Sequence, residues 1–310
     1  MQGFHRLKLR HLHSFVAVAE TGSLVRAADT LSITQPAVSK SLAELEEIVG
    51  HRLFDRMPRG VRLTSAGRVL LGFAGSSLRA IREGLDSIAG EAAVDAPSIA
   101  IGALPTVAAT VLPGALLRFA TAYPQARVAV RTGSNAQMIA ALRQGLLDMV
   151  VGRLAEPSAM RGLTFEHLYS EPLVLVVRPG HALSRRRKLA VDALSAHRFV
   201  LPDAGTRARD AADRFFLASG MGLPQHMIES IDVAFGRRYV LQSDAVWCIP
   251  FGVVEHDLAN GTLHRLPVDT SLTEGPVGLT LRVDRVVTPA METLLGEIRR
   301  AAAARAGVAR

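Results

Sequence analysis

Gln35, Ser39 and Lys40 fall on one outward side of a short amphipathic stretch. An amide, a hydroxyl and an ammonium at that spacing can address base edges in a major groove: Gln suits adenine, Lys guanine, and Ser either. Pro36, in the same first turn, costs little because no intrahelical donor is lost there. A little further on, Arg56, Arg59 and Arg62 lie in and beside the run Asp55-Arg56-Met57-Pro58-Arg59-Gly60, where guanidinium groups can neutralise phosphates. Taken singly, an amphipathic helix or a turn with arginines is commonplace. In succession they point to a nucleic-acid grip.

Positioning such side chains takes rigid elements, and the apolar spacing supplies them. Leu24, Ala27, Ala28 and Leu31 recur at i, i+3, i+4 and i+7 behind Ser23, an N-cap type, which predicts one short helix. After a break at Ser32-Ile33, Thr34 caps a second helix with Val38, Leu42, Leu45 and Val49 inward and Gly50 at its end. The caps Ser23 and Thr34 join the candidate DNA contacts. Leu53-Phe54 and Val61–Leu63 predict two short strands around a cationic tip, the wing of a winged helix. Leu9, Leu12, Phe15, Val16 and Ala19 predict a further helix that backs the pair. His11 and His13, two apart on that helix, read as surface histidines without a metal.

Beyond Thr64, a cap for the next helix, Leu71, Ala74, Leu78, Ile81, Leu85 and Ile88 alternate steps of three and four. That is a heptad seam, and it predicts pairing of this helix with its copy in a second chain, packing on its own domain being the plainer alternative. A dimer would present two recognition helices to half-sites on one face of the duplex.

Several fixed positions now make a pattern: Leu12-x-x-Phe15, Ala19-Glu20-x-Gly22-Ser23, Ala27-Ala28-x-x-Leu31, Gln35-Pro36-Ala37-Val38-Ser39, Leu45-Glu46, Gly50, Leu53-Phe54-x-Arg56 and Leu63-Thr64-x-x-Gly67. This stretch resembles the DNA-binding signature of LysR-type transcriptional regulators. The resemblance implies DNA contacts from Gln35, Pro36, Ser39 and Lys40, and from Arg59 in the wing; Lys40 stands where the family more often has arginine. It also implies that the long helix is a dimerisation linker.

Composition sets the bounds. A chain of 310 residues, 49% of them hydrophobic, has core material for two or three domains. A net charge of +8 favours a polyanionic partner, nucleic acid or an acidic membrane surface. No long apolar run free of charge predicts a membrane span, and Met1–Arg6 lacks the apolar core of a signal peptide, so the expected location is the cytoplasm. The lone Cys248 excludes an internal disulfide and reads as a buried structural thiol. No Gly-x-Ser-x-Gly, His-Glu-x-x-His, phosphate loop or Gly-x-Gly-x-x-Gly is present, so neither catalysis nor a cofactor is expected.

From residue 97 the pattern changes. Ile99–Gly102, Ala126–Arg131 and Leu147–Val151 predict strands alternating with helices over Thr106–Thr121 and Asn135–Gln144. Leu173–Val177, Phe199–Leu201, Met227–Ile231 and Val246–Ile249, with helices over Arg207–Ser219 and Ala234–Gln242, repeat the scheme. The alternation predicts parallel sheets covered by helices. Val277–Val283 and a terminal helix from Pro289 return to the first lobe. The expected fold is therefore mixed: an N-terminal winged helix-turn-helix over 1–64, a dimerisation helix and hinge over 65–96, and two α/β lobes. Lobe I takes 97–164 plus 271–310 and lobe II takes 165–270. The family resemblance extends through these lobes and implies the periplasmic-binding-protein type.

Ligands of open α/β sheets sit beyond strand carboxyl ends, where helix N-termini offer free donors to anions. The residues there are Pro105, Thr106 and Val107, Ser134 and Asn135, Arg153, Thr206 and Phe235. They are the candidate effector site, suited to a small carboxylate; simple helix capping is the plainer reading for Thr106, Ser134 and Thr206. By resemblance, Thr106, Ser134, Asn135 and Arg153 match effector positions. Ser243–Pro250 and Gly275–Gly278 resemble the subgroup tied to protocatechuate and related aromatic-acid or sugar catabolism (PcaQ and GbpR types). The expected partners are double-stranded promoter DNA, a small acidic effector, RNA polymerase and further copies of the chain as a dimer of dimers, with no membrane. A solute receptor on the two-lobe domain, or an enzyme, is the disfavoured alternative. Arg185-Arg186-Arg187-Lys188 reads as a solvated turn, with an accessory DNA contact as the sharper alternative.

Overall fold

The computed structural model describes residues 4–58, 60–88, 96–285 and 287–308. They divide into two compact units, one of residues 1–98 with 140–148 and one of 99–139 with 149–310.

In the first unit the sequence caps act where expected. Helix α1 (Leu9–Thr21) ends on Gly22 in the left-handed region, φ 63°. Helix α2 (Leu24–Leu31) is capped by Ser23, and α3 (Gln35–Val49) by Thr34, with Gly50 left-handed at its end. The turn between them rests on Ser32, a non-glycine residue at φ 55°. Strands β1 (Phe54–Arg56) and β2 (Val61–Leu63) pair antiparallel, with Phe54 opposite Leu63 and Arg56 opposite Val61. Helix α4 (Ser65–Ile88) follows, its first turn capped by the Thr64 hydroxyl, which accepts from Gly67 N at 3.0 Å.

Phe15, Val18, Ala27, Val38, Leu45 and Leu53 form one core with no appreciable exposure. Burial on that scale supplies most of the module's stability, since short helices are marginal alone. Polar ties fix the rim. His11 lies buried and pairs with Glu44 at 2.9 Å, so it is a core histidine and not a surface one. Its i+4 spacing to Phe15 and i+7 to Val18 puts it on the inward face. Arg10 and His11 hold the Glu44 carboxyl below the usual range.

The second unit has two sheets, and residues 140–148, within the stretch described next, count with the first unit. Strand β3 (Ser98–Ala103) leads to α5 (Pro105–Ala122), β4 (Arg127–Thr132), α6 (Asn135–Arg143) and β5 (Met149–Arg153). Strand β6 (Leu163–Glu171) completes this stretch, and β7 (Leu173–Val177) opens the second sheet. There follow β8 (Phe199–Leu201), α7 (Arg207–Ala218), β9 (Met227–Glu229), α8 (Val233–Leu241), β10 (Val246–Pro250), α9 (Phe251–Ala259) and β11 (His264–Arg265). Strand β12 (Gly275–Arg282) and α10 (Pro289–Val308) return to the first sheet. The orders are β4-β3-β5-β12-β6 and β11-β7-β10-β8-β9.

These sheets are mixed, not parallel throughout. β3 runs parallel to β5, but β12 is antiparallel to both β5 and β6. Likewise β8 is parallel to β9 and β10, while β7 is antiparallel to β10 and to β11. The antiparallel members are those the chain lays down where it crosses between lobes. The boundary expected at 164 falls inside β6, so the first crossing lies at Pro172 and residues 165–171 belong to the first sheet. Strand β6 escaped the sequence reading because it is a half-exposed edge, Leu-Thr-Phe-Glu-His-Leu-Tyr-Ser-Glu, without a continuous apolar run. Strand β7, Leu-Val-Leu-Val-Val, is buried along its whole length and was plain.

Candidate nucleic-acid face and ligand cleft

Gln35, Pro36, Ser39 and Lys40 are all exposed on the first turns of α3. Thr34, also exposed, accepts from Ala37 N at 3.4 Å. Ser23 is half-buried, and its hydroxyl accepts from Arg26 N at 3.5 Å, so it sets the pose of α2. In the wing Arg56 is exposed and Arg62 stands 3.9 Å from Asp55, a loose surface pair. Arg59 lies outside the described residues. The wing is fastened by backbone: Val61 N donates to Gly22 O at 3.0 Å, and Met57 N to Gly60 O at 3.1 Å. Gly60 has φ +93°, and a Cβ there would meet Gly22 O at 2.4 Å, so only glycine fits. At the other end Glu46 accepts from Leu53 N at 2.6 Å and Phe54 N at 3.3 Å, tying the recognition helix to the base of the wing.

The heptad seam of α4 divides. Leu71 (5% exposed) and Ala74 (2%) are consumed in the core of their own module, and Leu78 is half-buried against it. These three are therefore not a free dimer face: α4 must first cover α1. Ile81 (39%) and Leu85 (62%) are exposed, as are Val69 and Phe73, which the heptad reading passed over. The Ile88 side chain lies outside the described residues.

In the second unit Pro105, Ser134, Asn135, Arg153 and Thr206 line one cleft of about 550 Å³, counting the space open to solvent. Leu104, Pro202, Ile249 and Pro250 make apolar walls, and Arg207 and Ser230 are polar members the sequence did not single out. The N-termini of α5, α6 and α7 all open here. Ser134 is occupied as a cap, donating to Gln137 Oε1 at 3.0 Å and accepting from Gln137 N at 3.3 Å. Thr206 likewise accepts from Arg209 N at 3.2 Å.

Two side chains keep spare capacity. Asn135 Nδ2 donates to Arg153 O at 3.1 Å, and its Oδ1 is buried without a partner. Arg153, 8% exposed, donates to Glu171 O at 3.0 Å and Thr273 O at 3.5 Å, while its Nε has no partner. Burial works against its charge, and Glu171 nearby favours it. A guanidinium stays protonated under such conditions, so the cleft carries a fixed cation. Gly275 permits this: a Cβ there would lie 2.3 Å from Arg153 Nη1.

Three expected residues lie elsewhere. Val107 is packed in the first lobe's core. Thr106 is buried with its hydroxyl toward Glu171 behind the cleft. Phe235 is exposed, stacked on Tyr239 at 5.8 Å. Glu171 itself was missed. It is buried, accepts from Gly252 N at 3.2 Å and lies 3.9 Å from Arg305. Burial raises its carboxyl, with Arg153 and Gly252 opposing. Cys248 sits in the second lobe's core, its thiol pushed up to about 12 by burial.

Two family descriptions match: "Bacterial regulatory helix-turn-helix protein, lysR family" over residues 9–68 and "LysR substrate binding domain" over 92–303. The chain belongs to the LysR family. It is 42% identical over 297 residues to the transcriptional regulator PcaQ of Agrobacterium fabrum, covering 96% of each chain. It is 37% identical over 295 residues to the regulator YdcI of Escherichia coli, covering 95% of this chain and 96% of the relative. Among solved structures, ArgP from Mycobacterium tuberculosis superposes with a TM-score of 0.65 at 19% identity, covering 94% and 96% of the two chains. The LysR-family chain is a DNA-binding, ligand-responsive transcriptional regulator and not an enzyme. No helix among the described residues is long and apolar enough to cross a membrane.

For the α3 face, Gln35→Ala is expected to cost about 1 to 3 kcal/mol on the specific site and little on random DNA. Arg56→Ala is expected to weaken both alike, and fluorescence anisotropy on the two duplexes separates them. Equal losses from Gln35→Ala on both would contradict its placement at base edges.

Proposed function

We propose that this regulator binds promoter DNA as a homo-oligomer and responds to a small carboxylate, an aromatic-catabolism intermediate or a sugar acid. The observation that carries the ligand class is the cleft: helix N-termini from both lobes converge on one buried guanidinium whose Nε lacks a partner. Helix N-termini carry partial positive charge and free donors, and a guanidinium adds a full one. An anionic group there gains hydrogen bonds that water in a largely apolar cleft supplies poorly. The resemblance to the PcaQ and GbpR subgroup supports acids of those pathways.

The response follows from where Arg153 sits. It bonds the carbonyl at the end of β6 and one just before β12, on the two crossings between lobes. A ligand that prefers the closed arrangement shifts the lobe equilibrium by its differential affinity. Closure then alters the spacing of DNA modules, promoter bending and contact with RNA polymerase. No bound cofactor is needed in this reading.

For assembly we take the exposed ridge of α4, Val69, Phe73, Ile81 and Leu85, to pair with its copy. These positions follow an i±4n row, the ridge that packs between helices. A dimer of such dimers is the expected final state.

Thermal denaturation of the full chain tests the ligand class. Protocatechuate or a sugar acid at a hundredfold excess over its Kd should stabilise by about 2.7 kcal/mol, and the matching amide should not. Stabilisation by amides alone would contradict the acid reading. For the assembly, Phe73→Glu with Leu85→Glu should give monomers in sedimentation equilibrium; an unchanged oligomer would remove α4 as the interface.

A further inference from the structure

Arg185, Arg186, Arg187 and Lys188 are all exposed, and none holds a carboxylate among the described residues. Arg198 is exposed in the same way. Several other arginines of this unit hold carboxylates: Arg118 with Glu297 at 2.6 Å, Arg237 with Asp257 at 2.5 Å, Arg299 with Glu166 at 2.8 Å, and Arg305 with Glu255. Two acidic groups close to the run already have partners. Asp244, which lines one hollow with Arg185, takes Arg178 at 2.7 Å, and Asp192, four residues past Lys188, accepts from Ala193 N at 2.8 Å.

Strand polarity locates this ridge. β7 begins at the crossing, where Leu173 lies opposite Pro250 of the cleft wall, and runs away from it to Val177. Residues 178–198 follow β7 and precede β8, whose far end leads to Pro202 in the same cleft. The ridge therefore occupies the pole of the second lobe opposite the ligand cleft. An occupant there does not compete with the ligand.

We propose that this pole is a second DNA-contacting surface, which takes the phosphate backbone of duplex beyond the stretch held by the winged helix. Uncompensated guanidinium groups gain most from a partner with dense, fixed negative charge and condensed counterions to release. The winged helix already tethers such a partner, at an effective concentration far above that of any free acidic protein. The contact carries no sequence information, because it addresses phosphates. It rests on the family's DNA binding and not on the identity of the effector.

The test uses the full chain and random-sequence duplexes of about 20 and about 60 base pairs, titrated over salt. Arg185→Glu/Arg186→Glu/Arg187→Glu should lower the slope of log K against log salt by roughly 2.7 on the long duplex. On passing from about 200 to about 50 mM salt, wild type then gains roughly fortyfold over the variant. The short duplex should show little difference. A control triple, Arg127→Glu/Arg131→Glu/Arg214→Glu, changes net charge equally at other exposed cations and should leave the long-duplex slope near wild type. Equal slopes for wild type and ridge variant on the long duplex would overturn the proposal. So would matching losses from the control triple, which would reduce the effect to net charge. Unchanged thermal unfolding confirms that the variant folds.

Discussion

The buried guanidinium of Arg153 is the contact on which the second unit turns. It stands at the end of a fully buried strand, and its two hydrogen bonds reach the carbonyls of Glu171 and Thr273, on the two crossings between lobes. The same crossings are sewn together by threonines: Thr273 Oγ1 accepts from Leu173 N at 2.8 Å, and Thr270 Oγ1 donates to Leu173 O at 2.6 Å. Behind them Glu171 joins the start of α9 to Thr106 of α5. Losing one partner of such a network leaves the others buried and unpaired, which is why the network constrains everything around it. On the cleft side of this knot, Asn135 Oδ1 and Arg153 Nε are buried without a partner.

In the first unit the corresponding constraint is backbone, not charge. Gly60 against Gly22 sets the wing, and Glu46 caps the amides of Leu53 and Phe54. Recognition helix and wing are thus held by the same few bonds, and the exposed Gln35, Ser39 and Lys40 are free for a partner because the core needs nothing from them.

Legibility in the sequence followed the range of the interaction. Caps at Ser23, Thr34 and Gly50 act over three or four residues, so residue type alone reveals them. The start of α5 was legible for the same reason, but its rotation was not. Successive helical residues point about 100° apart, so Pro105 meets the cleft while Thr106 and Val107 turn to the knot and the core. That rotation is fixed by β5, β6 and α9, none of them local. The α4 seam misled differently: one apolar stripe serves two partners, and only the packing of Leu71 and Ala74 on α1 shows which residues remain. Edge strand β6, half wet and carrying Glu166, His167 and Glu171, gave no periodic signal although it brings the most consequential carboxylate of the unit.

The central claim is that one chain couples an acid-binding cleft to a DNA grip, and thermodynamic linkage tests it most directly. Calorimetric affinity for the acid should be measured with and without saturating promoter DNA, and affinity for that DNA with and without saturating acid. The account predicts that both affinities change by one common factor, about 5 to 150. An acid that binds the free chain and the DNA complex equally would contradict it, because a ligand without differential affinity shifts no equilibrium.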